Sequence, residues 1–347
     1  MPSITKNEYD YVLKVKSLYK GDDAKKLNRV SLQKLALAFN ITHKRAIKEL
    51  SEFAIVLLAK ELAKQKKPIK AIYNDIVDLY EKQANSSFRD SNSIIYQQYS
   101  TPAPISYLAG VYCGIQNPKT TFFEPSAGNG LLTLAGNDQN GYVNEIDGLR
   151  STILNAQNYK FVGNQDATID FNSDKYANIF TKIKFDAVLS NPPFGGMKGN
   201  VTINGYPVKA LEHFMIFNAL KQLKPIGKAA FIIGGHSTYD ADGRLQRGKN
   251  SYFLHNLYNH YNVEDVINLD GHKLYSRQGT SFDVRMLLIN GIKKVPSGFA
   301  PLFNKVDTMV IDSFDDLYKR VMSHLSDDRE KALKMALQLA KDLKNLK

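Results

Sequence analysis

Apolar residues in the first 85 positions recur three and four apart. Leu32, Leu35, Ala36 and Phe39 make one such stripe, and Phe53, Val56, Leu57 and Ala59 another. This is the spacing of helices turned toward a core. Pro and Gly are nearly absent there, so residues 5–85 are predicted to be helical. Asn85, Ser86, Ser87, Ser91, Asn92 and Ser93 then form a polar stretch that reads as a linker. From residue 120 the texture changes to short apolar runs separated by amphipathic segments. Strands are predicted at Thr120–Phe123, Tyr142–Ile146, Lys160–Val162, Phe185–Leu189, Ala229–Ile233, Val266–Leu269 and Val284–Ile289, with helices such as Lys209–Leu223 between most of them. That alternation predicts an α/β fold: a mostly parallel sheet with helices on both faces. Residues 297–347 return to a helical pattern, and Leu333, Leu337, Ala340 and Leu343 form one stripe suited to packing on the preceding domain. The expected division is a helical unit at 1–95, an α/β unit at 96–296 and a helical extension at 297–347.

With 347 residues, 43% of them hydrophobic, the chain can bury one large core and a smaller one. No apolar run approaches the roughly 20 residues of a membrane span, and the polar start from Met1 to Asp10 lacks a signal-peptide stretch. The expectation is a cytoplasmic protein with no membrane partner. Cys113 is the single cysteine, which excludes an intramolecular disulfide and a cysteine-cluster metal site; no metal is expected. The net charge is +12, and residues 1–95 hold 15 Lys and 3 Arg against 6 Asp and 5 Glu. More than half of the basic excess therefore sits in the first quarter, which favours a polyanionic partner.

Two segments carry candidate chemistry. Ser190-Asn191-Pro192-Pro193-Phe194 follows the apolar strand Phe185–Leu189 directly. Two prolines cannot donate backbone hydrogen bonds and hold the chain in a stiff extended turn. At the C-terminal end of a strand, such a turn sits where open α/β sheets bind ligands. The Asn191 side chain and the Pro192 carbonyl offer two acceptors for an –NH2 group, and Phe194 offers a flat face for a base. The second segment is Phe123-Glu124-Pro125-Ser126-Ala127-Gly128-Asn129-Gly130, after the first strand and before an expected apolar helix. Gly128 and Gly130 permit a tight turn and close ligand approach. Thr133 stands where a phosphate-binding G-x-G-x-x-G loop needs its third glycine. Glu124 at the strand tip would repel phosphate and suits a cationic ligand. Glu145 ends the next strand, where a carboxylate commonly takes ribose hydroxyls, and Asp166 follows the third, where it could accept from an adenine amino group.

In these segments the chain resembles the amino-methyltransferases that use S-adenosyl-L-methionine, and specifically the N6-adenine DNA methyltransferases of the gamma motif order. Gln97-Gln98-Tyr99-Ser100-Thr101-Pro102 resembles the cofactor motif that precedes the glycine loop in that arrangement. Glu124 to Gly130 resembles motif I, Asn191 to Phe194 the catalytic motif IV, and Leu211–Leu223, Ala229–Ile233 and Leu274–Ile289 the later motifs. The likeness covers about residues 95–295, in order. It implies a Rossmann-like, seven-stranded methyltransferase fold with an N-terminal helical domain. It implies cofactor contacts from Tyr99, Thr101 and Pro102, from Glu124, Pro125, Ser126, Gly128 and Gly130, and from Glu145, Ile146, Asp166 and Asn191. The target adenine would be flipped out of DNA, its amino group met by Asn191 and Pro192 with Pro193 stiffening the turn. Phe194 would stack on the base, and Tyr275 falls near the position of a second base-contacting aromatic.

Relatives in that family usually carry a separate target-recognition domain after the last strand. Here about 52 residues follow Val295, and they read as simple helices. The resemblance therefore implies low sequence specificity, or a specificity subunit or second copy that supplies recognition, as in restriction-modification systems. Ser31 to Leu50 resembles a helix-turn-helix, with Ala36 and Phe39-Asn40-Ile41 in the turn and Thr42 capping a helix that carries His43, Lys44, Arg45 and Lys48. A plain helical scaffold is the other use of that segment. Release-factor glutamine methyltransferases share the Asn-Pro-Pro-aromatic turn. RNA methylation and a non-catalytic DNA-binding subunit are further alternatives.

Overall fold

The structure, a computed structural model, describes residues 3–21, 24, 27–85, 100–171, 183–303 and 308–326. Four helices come first: α1 (Lys6–Lys20), α2 (Arg29–Leu37), α3 (Lys44–Ala63) and α4 (Ile69–Lys82). The start of α1 is fixed by a capping box, in which Thr5 and Glu8 satisfy each other's backbone N–H. Tyr11, Val15 and Tyr19, four apart, turn to the core. Helix α5 (Ala103–Cys113) is buried at every position and stops at Gly114, whose φ of +69° gives the left-handed cap. Cys113, inside it, is a buried free thiol.

Eight strands form one sheet: β1 (Phe122–Glu124), β2 (Gly141–Asn144), β3 (Phe161–Gly163), β4 (Phe185–Ser190), β7 (Leu223–Gly234), β8 (Tyr261–Leu269), β9 (Val284–Ile292) and β10 (Val310–Ile311), in the order β10-β8-β9-β7-β4-β1-β2-β3. Only β9 runs antiparallel to its neighbours, β7 and β8. The α/β, Rossmann-like reading is borne out, with eight strands in place of seven. The extra strand belongs to the C-terminal extension, so that extension is not simply helical: β10 pairs with the end of β8 before a helix over residues 314–326. Leu333, Leu337, Ala340 and Leu343 lie outside the described residues, as does the expected linker beyond Asn85.

Alternate residues of the central strands enter two separate cores. Phe122, Ala187, Leu189, Ala230 and Ile232 join the core under α1–α5. Phe123, Phe185, Val188, Phe231 and Ile233 join the core under α7 (Leu211–Leu220) and α8 (Lys249–His260). A sheet covered on both faces reads as unbroken apolar runs, which is why the strand positions were visible in the sequence. The chain leaves β1 toward β2 and β3 on one side, and β4 pairs with β1 on the other. The sheet order therefore reverses between β1 and β4, and the crevice at their C-terminal ends is the ligand position of such sheets.

Two expectations are corrected here. The apolar helix after Gly130 does not form. Leu131 to Ala135 are buried in three-residue turns, with Leu134 N–H donating to Leu131 and Gly136 N–H to Thr133. The residue after the run is Gly136, where a Cβ would stand 2.7 Å from the Phe122 ring, so the site has no room for a side chain. A hairpin absent from the sequence reading, β5 (Gly196–Ile203) with β6 (Tyr206–Ala210), follows the Asn-Pro-Pro-Phe turn directly.

Candidate active site

Three loops converge at the switch point. Ser126 in the glycine loop and Ser190 at the end of β4 share a hydrogen bond of 2.9 Å. The Asn191 amide donates from Nδ2 to Thr101 Oγ1 at 2.9 Å. The segment before α5 is thereby tied to the Asn-Pro-Pro-Phe turn, and the turn is tied to the glycine loop. Gly128 (φ +56°) and Gly130 (φ +88°) give the loop its left-handed steps. Their surroundings differ. A Cβ on Gly128 would meet only the Arg150 guanidinium, at 3.6 Å, whereas one on Gly130 would stand 2.6 Å from Tyr159 Oη. Gly130 is required by packing behind the loop.

A cavity of about 270 Å³ opens in front of these loops. Of the residues expected to hold a cofactor, Thr101, Glu124, Pro125, Ser126, Gly128, Glu145, Ile146, Asp166 and Asn191 line it. Pro102 and Gly130 do not line it; Pro102 precedes α5 as its N-cap residue. Tyr99 lies outside the described residues. Pro193 lines the cavity and Pro192 is buried beside it. The ring of Phe194 is half-buried against the Gly234 backbone, where a Cβ would come within 3.1 Å. Tyr275 is corrected: it is 2% exposed, its hydroxyl has no partner, and it belongs to the core beneath the sheet. Buried there, it cannot stack on a base brought in from solvent.

The cavity walls carry four carboxyl groups, from Glu52, Glu124, Glu145 and Asp166, against one guanidinium, Arg150. Glu145 accepts from Gly128 N–H at 2.7 Å and from Asp147 N–H at 2.9 Å. Burial pushes its carboxyl up, although the Arg150 charge and these N–H groups oppose the shift. Glu124 is 1% exposed, and its Oε2 has no hydrogen-bond partner. Burial pushes this carboxyl well above the usual range, the neighbouring Glu145 adds to the shift, and Lys60 pulls it back. Asp166 Oδ1 closes a local turn by accepting from Thr168 N–H (2.9 Å) and Oγ1 (2.7 Å). A cavity so furnished suits a ligand that brings positive charge and hydroxyl donors.

The sequence reading missed α3 as a wall of this cavity. Glu49, 1% exposed, receives Arg150 Nε at 2.9 Å and Asn129 Nδ2 at 2.7 Å. Arg45 pairs with Asp147, the N-cap of α6 (Gly148–Asn155). Lys60 donates to Asp138 (2.5 Å), Gln157 (2.9 Å) and Tyr159 (2.9 Å), and burial draws its ammonium down to about 8. Glu49, Glu52, Val56 and Lys60 fall on one helical stripe. Charges on a buried stripe signal partners elsewhere in the chain, and that was the available clue. The same contacts bear on the helix-turn-helix segment, whose two helices form as α2 and α3. The first turns of its second helix are docked on α6, and the cap is His43, without a side-chain bond, in place of Thr42.

No protein-family model matches the chain, and no curated protein matches it. Among solved structures, the chain is similar to a candidate class I S-adenosylmethionine-dependent methyltransferase from Listeria monocytogenes (14% identity, 94% of this chain and 91% of that one, TM-score 0.45). It is similar to a modification subunit of a candidate type I restriction enzyme from Vibrio vulnificus (11% identity, 84% and 65%, TM-score 0.45). It is also similar to the M protein of the type I restriction enzyme EcoKI (15% identity, 88% and 69%, TM-score 0.40). At identities this low, the site's own residues must carry the functional reading.

Proposed function

We propose that the chain binds S-adenosyl-L-methionine in the carboxylate-lined cavity and methylates N6 of an adenine flipped out of DNA. The observation that carries this reading is the Asn191–Thr101 hydrogen bond beside that cavity. Thr101 fixes the Asn191 amide by its nitrogen, which leaves the carbonyl oxygen as the end that can accept from an incoming amino group. Asn191 Oδ1 and the Pro192 carbonyl then take the two N6 hydrogens and hold the nitrogen lone pair along one direction. Phe194, backed by Gly234, supplies the stacking face. The unpaired oxygen of Glu124 and the excess of carboxyl groups fit a cationic cofactor, and Glu145 and Asp166 fit its ribose and adenine. When bound, the cofactor supplies an electrophilic methyl group. The protein's share is alignment and fixed polar groups. Residues 96–296 are the catalytic unit on this reading, and the basic helices before them contact phosphates, which carry affinity with little sequence information.

The test incubates the purified protein with methyl-labelled cofactor and, separately, unmethylated DNA, RNA and a release factor. Label is expected in DNA as N6-methyladenine; label confined to RNA or release factor overturns the substrate assignment. Methylating a random-sequence DNA library addresses specificity. Adenine in many contexts is expected from the isolated chain. A sharp consensus of several bases would instead assign recognition to this chain, and one that appears only with an added subunit would assign it to the partner.

A further inference from the structure

We infer that Glu52, contributed by the N-terminal helix α3, binds the ammonium group at the amino-acid end of the cofactor, so that the helical unit completes the cofactor site. This rests on the proposed cofactor. Glu52 is 6% exposed and lines the cavity. Its Oε1 accepts from Ser100 Oγ, and among the described residues Ser100 is the carboxylate's one hydrogen-bond donor. A buried carboxylate with one neutral donor is under-satisfied. Arg150 lies close enough for Glu52 to stabilise its charge, but the guanidinium donates to Glu49, not to Glu52.

Position along the cavity selects which part of the ligand Glu52 meets. Asp166 follows β3 and Asn191 follows β4, with β2 and β1 between them. At strand spacings of about 4.8 Å, the two ends are roughly 14 Å apart. Ser100 adjoins Thr101, which holds Asn191, so Glu52 stands at the Asn191 end. There the reacting methyl and the amino-acid arm must lie if the adenosine occupies the Glu145 and Asp166 end. An α-ammonium brings up to three N–H donors to a carboxylate that has spare lone pairs, and the resulting bond is charge-assisted.

The test is calorimetry with two nucleosides that share the adenosine part. S-adenosylhomocysteine carries the amino-acid arm and 5′-methylthioadenosine lacks it. Glu52→Gln is expected to weaken S-adenosylhomocysteine by roughly 10–100-fold, the loss of one charge-assisted contact. The affinity for 5′-methylthioadenosine should stay within about 3-fold. Glu52→Asp, which keeps the charge one methylene further back, should lose less than Glu52→Gln. An unchanged affinity for S-adenosylhomocysteine, or an equal loss for both nucleosides in a variant with wild-type thermal stability, overturns the inference while leaving the cofactor assignment intact. A wild type that binds neither nucleoside overturns both.

Discussion

Replacing Glu49 by alanine should unlock the helical unit from the cavity. Glu49 and Arg150 are 1% and 4% exposed, joined at 2.9 Å and 3.3 Å, and Asn129 adds a third bond to the carboxylate. Glu49→Ala strands the guanidinium in a low-dielectric site and leaves the Asn129 amide without its acceptor. Removing one partner of a buried pair costs about 3–5 kcal/mol. Glu52 and Glu145 still attract Arg150, which places the loss near the lower value, about 3 kcal/mol. At about 2.1 cal/mol/K of unfolding entropy per residue, that is roughly 4 °C in Tm for a chain of 347 residues. The control is Lys67→Ala, which breaks the Lys67–Asp75 pair at 2.8 Å, with side chains 47% and 35% exposed; it should cost under about 1 kcal/mol. Thermal and urea unfolding of the three proteins provide the comparison. Burial raises the Glu49 carboxyl, but the Arg150 and Lys48 charges and the bonds from Arg150 and Asn129 hold it below its ordinary 4.5. Its stabilising contribution is therefore present above that pH and lost as the pH falls through the lowered value. The difference between wild type and Glu49→Ala should shrink in acid. If Glu49→Ala melts with the Lys67→Ala control at neutral pH, the pair does not hold the two units together as described.

Asn191→Ala should cut single-turnover methyl transfer by at least about 100-fold with little change in cofactor affinity; near-wild-type turnover would remove Asn191 from the chemistry. Gly130→Ala forces a Cβ into a left-handed step and to 2.6 Å from Tyr159 Oη, so it should destabilise by at least about 2 kcal/mol. Gly148→Ala, with nothing within 4 Å, should be near neutral in the same melts, and equal stabilities would refute the packing role of Gly130. Glu124 is held toward its neutral form by burial and by Glu145, against Lys60, and a bound cation favours the ionised form. Binding of a cationic ligand should therefore release protons and tighten as the pH rises. Calorimetry in two buffers of different ionisation enthalpy reads this, and identical heats would exclude it.

The strands of the main sheet were legible where they are apolar on both faces; β7 and β8 begin six and five residues before the expected Ala229 and Val266, in stretches that are polar or exposed, and β10 was not expected. The turns after β1 and β4 were legible because Gly128, Pro192 and Pro193 restrict the backbone in ways that leave few alternatives. The β5–β6 hairpin was overlooked because its polar and glycine-rich sequence hides alternation. Yet Asn204-Gly205, with φ of +54° and +82°, is the strongest short hairpin signal. Leu131–Ala135 misled because apolar content marks burial without marking helix: the segment is buried in turns, and Gly136 after it packs against the Phe122 ring. Tyr275 misled because a motif position does not say on which side of the sheet a ring lies. The contribution of α3 escaped because Glu49, Glu52 and Lys60 find their partners 48 to 101 residues away.

The two-residue strand β10 has a bearing on solubility. Strand β8 is nine residues long and pairs with β9 on one side; on the other, among the described residues, it meets just Val310 and Ile311, at Asn268 and Leu269. Arg320, at 2.6 Å and 2.8 Å, and His324, at 2.7 Å, then clamp Asp265 in the middle of that strand. Together they lay a short strand and a helix along what would otherwise be a long open edge, the kind of surface on which β-sheet chains aggregate. Chains shortened before residue 308 would present that edge, and self-association by strand addition would set in before any loss of the distant cavity.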